Sequence, residues 1–226
     1  GFQATNLAQA IDIIKEMRDS KATIFFAFTS NMGTCGIREN ITYLIQNNFI
    51  DIASTTVGAI EEDIIKCFKP FVIGDYRANG ANLREEGINR TGNIFIPNDR
   101  YIYFERFMNN LLERLYKQQI KTKKIIDIVE FVYEMGHQME IDKVENKEQS
   151  FTYQAYKNKI PMYCPALPDG SVGDMLYFFK KNNSDFKLDT SDYIVSLTDK
   201  AINCDKMGII AIGGSVPKHL VANAGL

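Results

Sequence analysis

The chain has 226 residues, 45% of them hydrophobic and 24% charged, enough for one α/β domain or two small ones around a sizeable core, which excludes a disordered or fibrous protein. Lys plus Arg number 26 against 28 Asp plus Glu, a formal net charge of −2, so no broad basic field exists to make nucleic acid or an anionic membrane the main partner. No apolar run approaches the ~20 residues of a membrane span, and Gly1 to Ala10 lacks the basic and apolar regions of a signal peptide, so a cytoplasmic protein is expected.

In chain order, Leu7, Ile11, Ile14 and Met17 draw one stripe along a helix over Ala4–Met17, with Asn6 as a possible cap. Ala22–Phe28 is a continuous apolar and β-branched run, the pattern of a strand covered on both faces. Thr29–Gly36 reads as a small-residue turn, and Ile37–Asn48 as a helix with Ile37, Ile41, Leu44 and Ile45 on one face. The order then repeats: a strand over Ile50–Thr56, a turn at Val57–Ala59, and a helix over Ile60–Phe68 with Glu61, Glu62 and Asp63 in its first turn.

Pro70–Gly74 reads as a further strand, and Asp75–Asn93, punctuated by Gly80, Gly87 and Gly92, as a long structured loop of the kind that is usually functional. Asn93–Ile96 reads as a strand, and Asp99–Gln118 and Lys124–Met139 as helices, with Phe104, Met108, Leu111, Leu112 and Leu115 on the inner face of the first. Asp142–Glu148 is a charged connector. Alternation resumes with a helix over Ser150–Asn158, a strand over Pro161–Cys164, a loop over Pro165–Gly173 and helices over Asp174–Lys181 and Thr190–Ala201. Met207–Ile212 is a buried strand, and Gly213–His219 turns into a final helix inside which the chain stops. Repeated strand-loop-helix order implies an α/β fold: a Rossmann-like, doubly wound, mostly parallel sheet with helices on both faces, its ligands outside the carboxyl ends of the strands. Beginning at Gly1 without Met and ending within such a unit, the chain reads as an excerpt of a longer polypeptide, residues 1–226 forming one domain of it.

The strand-end loops carry the candidate chemistry. Ser30-Asn-Met-Gly-Thr34 offers small residues through which backbone N–H groups and hydroxyls reach a pyrophosphate, although it is not a G-x-G-x-x-G fingerprint. In Thr55-Thr-Val-Gly-Ala-Ile-Glu-Glu-Asp63, the acids either complement a helix dipole or place one of Glu61 and Glu62 as a ligand. Asp169-Gly-Ser-Val-Gly-Asp174 holds two carboxylates suited to a ribose hydroxyl or, with Glu62, to a cationic substrate such as a polyamine, and Asp174 is alternatively a helix cap. His219, after Gly213-Gly214, stands where a general acid or base would be placed, whereas His137 between Met135 and Met139 reads as structural. Cys35, Cys67, Cys164 and Cys204 form no C-x-x-C pair and, with two histidines, no zinc-type spacing, so they read as free thiols and no metal is expected.

Taken together, Thr29-Ser-Asn31, Gly36-Ile-Arg38, Thr55-Thr56, Glu61-Glu-Asp63, Ile65-Lys-Cys67, Asp169-Gly-Ser171, Gly173-Asp-Met175, Gly213-Gly214 and Lys218-His219 resemble the deoxyhypusine synthase family nearly end to end. The resemblance implies an NAD-dependent transferase that moves the aminobutyl group of spermidine, through an imine on an enzyme lysine, to one lysine of translation initiation factor 5A. By the same analogy Ser30, Asn31, Met32, Gly33, Thr34, Thr56, Val57, Gly58, Asp169 and Gly214 would contact NAD. Glu62 would touch both NAD and the polyamine, Glu61 and Asp174 would bind spermidine, and His219 would assist proton and hydride transfer. Relatives of this kind are homotetramers with active sites between subunits. The departures are the lack of any Trp, hence of the Trp-Gly-Lys segment that carries the imine-forming lysine; the lack of an N-terminal extension; Met-Gly-Thr-Cys35 in the first loop; Val57 in place of alanine; and Ser215 in place of a third glycine. A regulatory subunit lacking the nucleophile, or a homospermidine synthase with putrescine as acceptor, are the competing readings.

Overall fold

The computed structural model describes residues 1–226. The chain runs α1 (Ala4–Asp19), β1 (Thr23–Phe28), α2 (Ser30–Thr34), α3 (Arg38–Gln46), β2 (Ile52–Ser54), α4 (Val57–Phe68), β3 (Val72–Ile73), α5 (Gly80–Glu85), β4 (Ile88–Thr91) and β5 (Ile94–Pro97). It continues through α6 (Asp99–Thr122), β6 (Ile126–Asp127), α7 (Ile128–Ile141), a short 3-10 turn (Lys147–Gln149), α8 (Phe151–Asn158), β7 (Met162–Tyr163), α9 (Ser171–Asn182), β8 (Leu188–Asp189), α10 (Tyr193–Ile202), β9 (Met207–Ile212) and α11 (Ser215–Ala224).

The expected parallel sheet is present, with strand order β7-β2-β1-β9. β1 pairs β9 from Thr23 opposite Met207 to Phe28 opposite Ile212, and pairs β2 from Phe25 opposite Ile52. Five consecutive residues of β1, Ile24–Phe28, are buried, which requires cover on both faces and explains the lack of apolar-polar alternation in that segment. α6 lays Phe104, Phe107, Met108, Leu111, Leu112 and Leu115 into the core at helical spacing. β9 is an edge strand, paired only to β1, and of its residues only Gly208 is buried while Ile209 is 36% exposed, which corrects the expectation of a buried strand: an edge position leaves one side without a neighbouring strand or cover. α1 buries no residue, and its stripe stands open, with Leu7 63%, Ile11 45% and Ile14 39% exposed. No helix is long and apolar enough to cross a membrane.

Several local expectations are corrected. Asn6 lies inside α1 and donates to Gln3 rather than capping the helix. Ser30–Thr34 is a helical turn, because Thr29 at the strand end is extended and the small residues after it let the chain coil at once. The 75–93 segment contains α5, capped by Asn79 accepting from the Ala81 and Asn82 N–H groups, and β4, which turns through Gly92 at φ +58° to pair antiparallel with β5. β3 joins the same small sheet, while the paired two-residue strands β6 and β8 had no signal in the sequence.

Ser215, where a glycine is usual in the resemblance, begins α11 at φ +59°. A left-handed conformation costs a side-chain-bearing residue about 1–2 kcal/mol, partly offset by the entropy a glycine would lose. Ser215→Gly is therefore expected to raise stability by about 0.5–1 kcal/mol, seen as a higher thermal midpoint; an unchanged or lower midpoint would show that the hydroxyl compensates.

Candidate active site

The carboxyl ends of β1, β2, β7 and β9 lead into α2, α4, α9 and α11 respectively, which brings all of the candidate loops to one edge of the sheet. α4 departs most from what the sequence suggests. It starts at Val57, a turn earlier than expected, so no acid lies in its first turn. Glu61, Glu62 and Asp63 are mid-helix, and the macrodipole does not account for them. At 100° per residue, three successive side chains radiate in three directions, and each has a separate partner.

Asp63 points into the interior. Its Oδ1 accepts from Arg38 Nε at 2.7 Å, and its Oδ2 accepts from Ser150 Oγ at 2.6 Å and the Thr152 N–H at 3.0 Å. Arg38 also donates to the Asp63 carbonyl at 3.0 Å and to Cys67 Sγ at 3.2 Å. The ion pair is almost dry, its side chains 5% and 0% exposed. It ties α4 to α3 and α8, and thereby sets the rotation of α4 about its axis.

Glu61 points to α9. Its Oε2 accepts from the Val172 N–H at 3.1 Å, so the orphan donors at the start of α9 are met from another helix, Gly170 offering no side chain. This corrects the capping role considered for Asp174, which lies exposed in the first turn of α9. Burial pushes the Glu61 carboxyl up to about 7, with Asp174 and Asp169 adding to the rise and the α9 N–H bonds opposing it. Gly173 packs so closely on the preceding loop that an added Cβ would sit 2.0 Å from the Pro168 carbonyl oxygen. Gly173→Ala should therefore displace the Asp169–Asp174 loop and cost about 1–3 kcal/mol or more; a thermal midpoint equal to wild type would refute this packing.

Glu62 points to α2. It is hydrogen-bonded to Thr34 Oγ1, which also donates to the Ser30 carbonyl at 2.9 Å. One hydroxyl proton cannot serve two acceptors, and a protonated Glu62 removes the conflict by donating to Thr34. In agreement, burial first and the Glu61 charge second push Glu62 up to about 8, against the opposing pull of Lys66. Lys66, which donates to the Thr34 carbonyl, is itself lowered by burial and by Arg38. Tyr101, from the start of α6, faces the same two glutamates; burial and then their charges raise its phenol to about 12. Neither Lys66 nor Tyr101 stood out in the sequence, and only the packing of α6 on α4 reveals the tyrosine.

Ser30 Oγ bonds Thr56 Oγ1, joining the β1 and β2 loops. A Cβ on Gly58 would sit 2.8 Å from Ser30 Oγ, so glycine is what allows α2 and α4 to approach. Neither α4 nor α11 has a side-chain cap, which leaves their first N–H groups free for a ligand anion. Asn31, Met32 and Gly33 lie in α2, Val57 opens α4, and Gly214 precedes α11, where an added Cβ would meet nothing within 4 Å. His219 is exposed on α11, which follows β9 at the opposite edge of the sheet from β7 and the Asp169–Asp174 loop, and hydrogen-bonds none of the acids. His137 stacks on Tyr156 and lies 3.1 Å from a Glu134 oxygen, a structural setting.

Parallel strand ends, uncapped helix N-termini and a cluster of acids define a Rossmann-like α/β protein that pairs an anion-receptive loop set with a cation-receptive one. A family model described as deoxyhypusine synthase matches residues 1–226. A probable deoxyhypusine synthase of Methanocaldococcus jannaschii is 50% identical over all of this chain and 71% of its own length, and one of Schizosaccharomyces pombe is 41% identical, with 67% of its length covered. The crystal structure of a putative deoxyhypusine synthase from Entamoeba histolytica superposes with a TM-score of 0.73 at 25% identity, over 95% of this chain and 74% of that one. The chain belongs to the deoxyhypusine synthase family, a family of enzymes.

Proposed function

We propose that these residues form the NAD- and spermidine-binding part of an enzyme that transfers the aminobutyl group of spermidine to a lysine of translation initiation factor 5A, forming deoxyhypusine. The observation that carries this reading is that Glu61, Glu62, Asp169 and Asp174 cluster at the carboxyl end of the sheet, the same end from which the uncapped helices α4 and α11 start. The fit to NAD rests on those free N–H groups and on the small residues around them: Ser30, Gly33, Thr34, Thr56, Gly58 and Gly214 let backbone approach a pyrophosphate, with Asn31, Met32 and Val57 flanking it. Asp169 is assigned a cofactor hydroxyl. When bound, NAD supplies a hydride acceptor.

The polyamine side falls to the acids. Asp174, exposed on α9, holds a terminal ammonium group, Glu61 adds field and fixes the loop, and Glu62, once deprotonated, holds the secondary amine next to the cofactor site. His219 is assigned proton movement at that amine. The imine-forming lysine of a Trp-Gly-Lys segment is not among the 226 residues, which contain no Trp, and Lys218, exposed on α11, is not assigned that role. The open stripe of α1 supports a homotetramer or a hetero-oligomer with a paralogue, and the reading places the protein in the cytoplasm.

Calorimetric titration of the full chain tests this: spermidine is expected to bind more tightly with NAD present than without it, and binding of neither would overturn the proposal. Radiolabelled spermidine then identifies the acceptor. Label on initiation factor 5A supports the assignment, and label on putrescine alone overturns it.

A further inference from the structure

On the opposite flank of the sheet, beside β7, lies a cavity of about 360 Å³ that shares no residue with the acid site. We propose that it is a second binding site, for a small aromatic or otherwise apolar molecule carrying a carboxylate. Its walls are apolar and aromatic, with Val132, Ala155, Ile160 and Met162 joined by the rings of Tyr133 and Tyr156, and its size falls within the range of small-molecule pockets. The two rings meet edge to face at 4.9 Å, a preformed wall for a flat ligand.

The polar groups define the rest of the ligand. Thr152, 1% exposed, lines the cavity, and its Oγ1 has no hydrogen-bond partner. As the second residue of α8 it has no helical carbonyl four residues back to bond. A buried hydroxyl left unpaired is costly, and turning about its Cα–Cβ bond would offer it to a ligand oxygen in the cavity. The acids at the rim are already engaged: Glu130 pairs with Lys124 at 2.6 Å, and Asp127 caps α7 by accepting from the Glu130 N–H at 2.8 Å. Lys159 and Lys200, also on the rim, have no carboxylate partner. The unspent charge is thus positive, which selects an anion; the apolar walls select a molecule with a hydrophobic body over a free inorganic ion.

The probe is para-(trifluoromethyl)benzoate, titrated into the full chain and followed by fluorine NMR. Saturable binding is expected, with para-(trifluoromethyl)benzamide binding more weakly. The double variant Lys159→Gln/Lys200→Gln should weaken benzoate binding about tenfold, the effect of losing a charge-assisted contact. Thr152→Val should weaken it several-fold while leaving the thermal midpoint unchanged or raised, because the hydroxyl has no partner to lose. Absence of saturable binding at millimolar probe, or binding that neither variant alters, would overturn the assignment.

Discussion

Asp63→Asn is expected to destabilise the fold by about 3–5 kcal/mol, because it removes the only counter-charge of a buried arginine. Arg38 would keep its hydrogen bonds to the residue 63 carbonyl and to Cys67 but remain charged and 5% exposed, with nowhere to turn to water. The amide would also offer an N–H₂ group to Ser150 Oγ or the Thr152 N–H, one of which would then face a donor. Replacing both partners by apolar residues, Arg38→Met with Asp63→Leu, should cost clearly less than Asp63→Asn alone, since no charge is stranded. Urea unfolding with a common slope checks both values; a loss below about 1 kcal/mol for Asp63→Asn would mean that the interior around Arg38 admits water. The consequence reaches the site, because this network sets the rotation of α4 and so aims Glu61 at α9 and Glu62 at α2.

Glu62→Gln is expected to weaken spermidine binding by about 10- to 100-fold, the effect of losing one charge-assisted hydrogen bond of roughly 1.5–3 kcal/mol. The pH dependence is the sharper readout. With its carboxyl pushed up to about 8, Glu62 must lose a proton to accept a cation, so wild-type affinity should climb as pH rises towards 8 and level off above it. Glu62→Gln should flatten that part of the profile. For stability the sign is opposite: the folded protein holds a proton on Glu62 that the unfolded chain releases near 4.5, so this group's contribution falls as pH rises from about 4.5 to about 8 and is constant beyond. The variant, neutral throughout, should lack that decline. A wild-type binding profile that is flat between pH 6 and 8 would overturn the raised Glu62 carboxyl, and affinity unchanged in Glu62→Gln would remove it as the cation's partner.

The chemistry of the acid cluster therefore rests on α4, which starts one turn earlier than its local sequence suggests. Val57-Gly-Ala59 carries a glycine and a β-branched residue and reads as a turn on local preference; in the fold, Gly58 is what lets Ser30 approach, and the helix begins there because α2 packs against it. The glycine signal was real, and its cause was close approach, not chain reversal.

What the sequence determined by itself was the frame. An uninterrupted apolar run such as Ile24–Phe28 reads as a strand buried between layers, and its alternation with helical spacing implies a parallel sheet with its loops at one edge; Met207–Ile212 carries the same pattern but lies half open at the sheet edge. The residues in those loops, down to Glu62 and Gly214, drew notice as a set because they follow strand ends, where ligands of parallel sheets collect; their composition alone is that of any turn. The tertiary structure decided the partners: that Glu61 caps a helix more than a hundred residues away, that Asp63 belongs to Arg38, that Tyr101 faces the glutamates, and that Thr152 is left unpaired beside a cavity. Periodicity is a property of neighbours along the chain, whereas a carboxylate's charge and hydrogen bonds are set by whatever packing brings against it from afar.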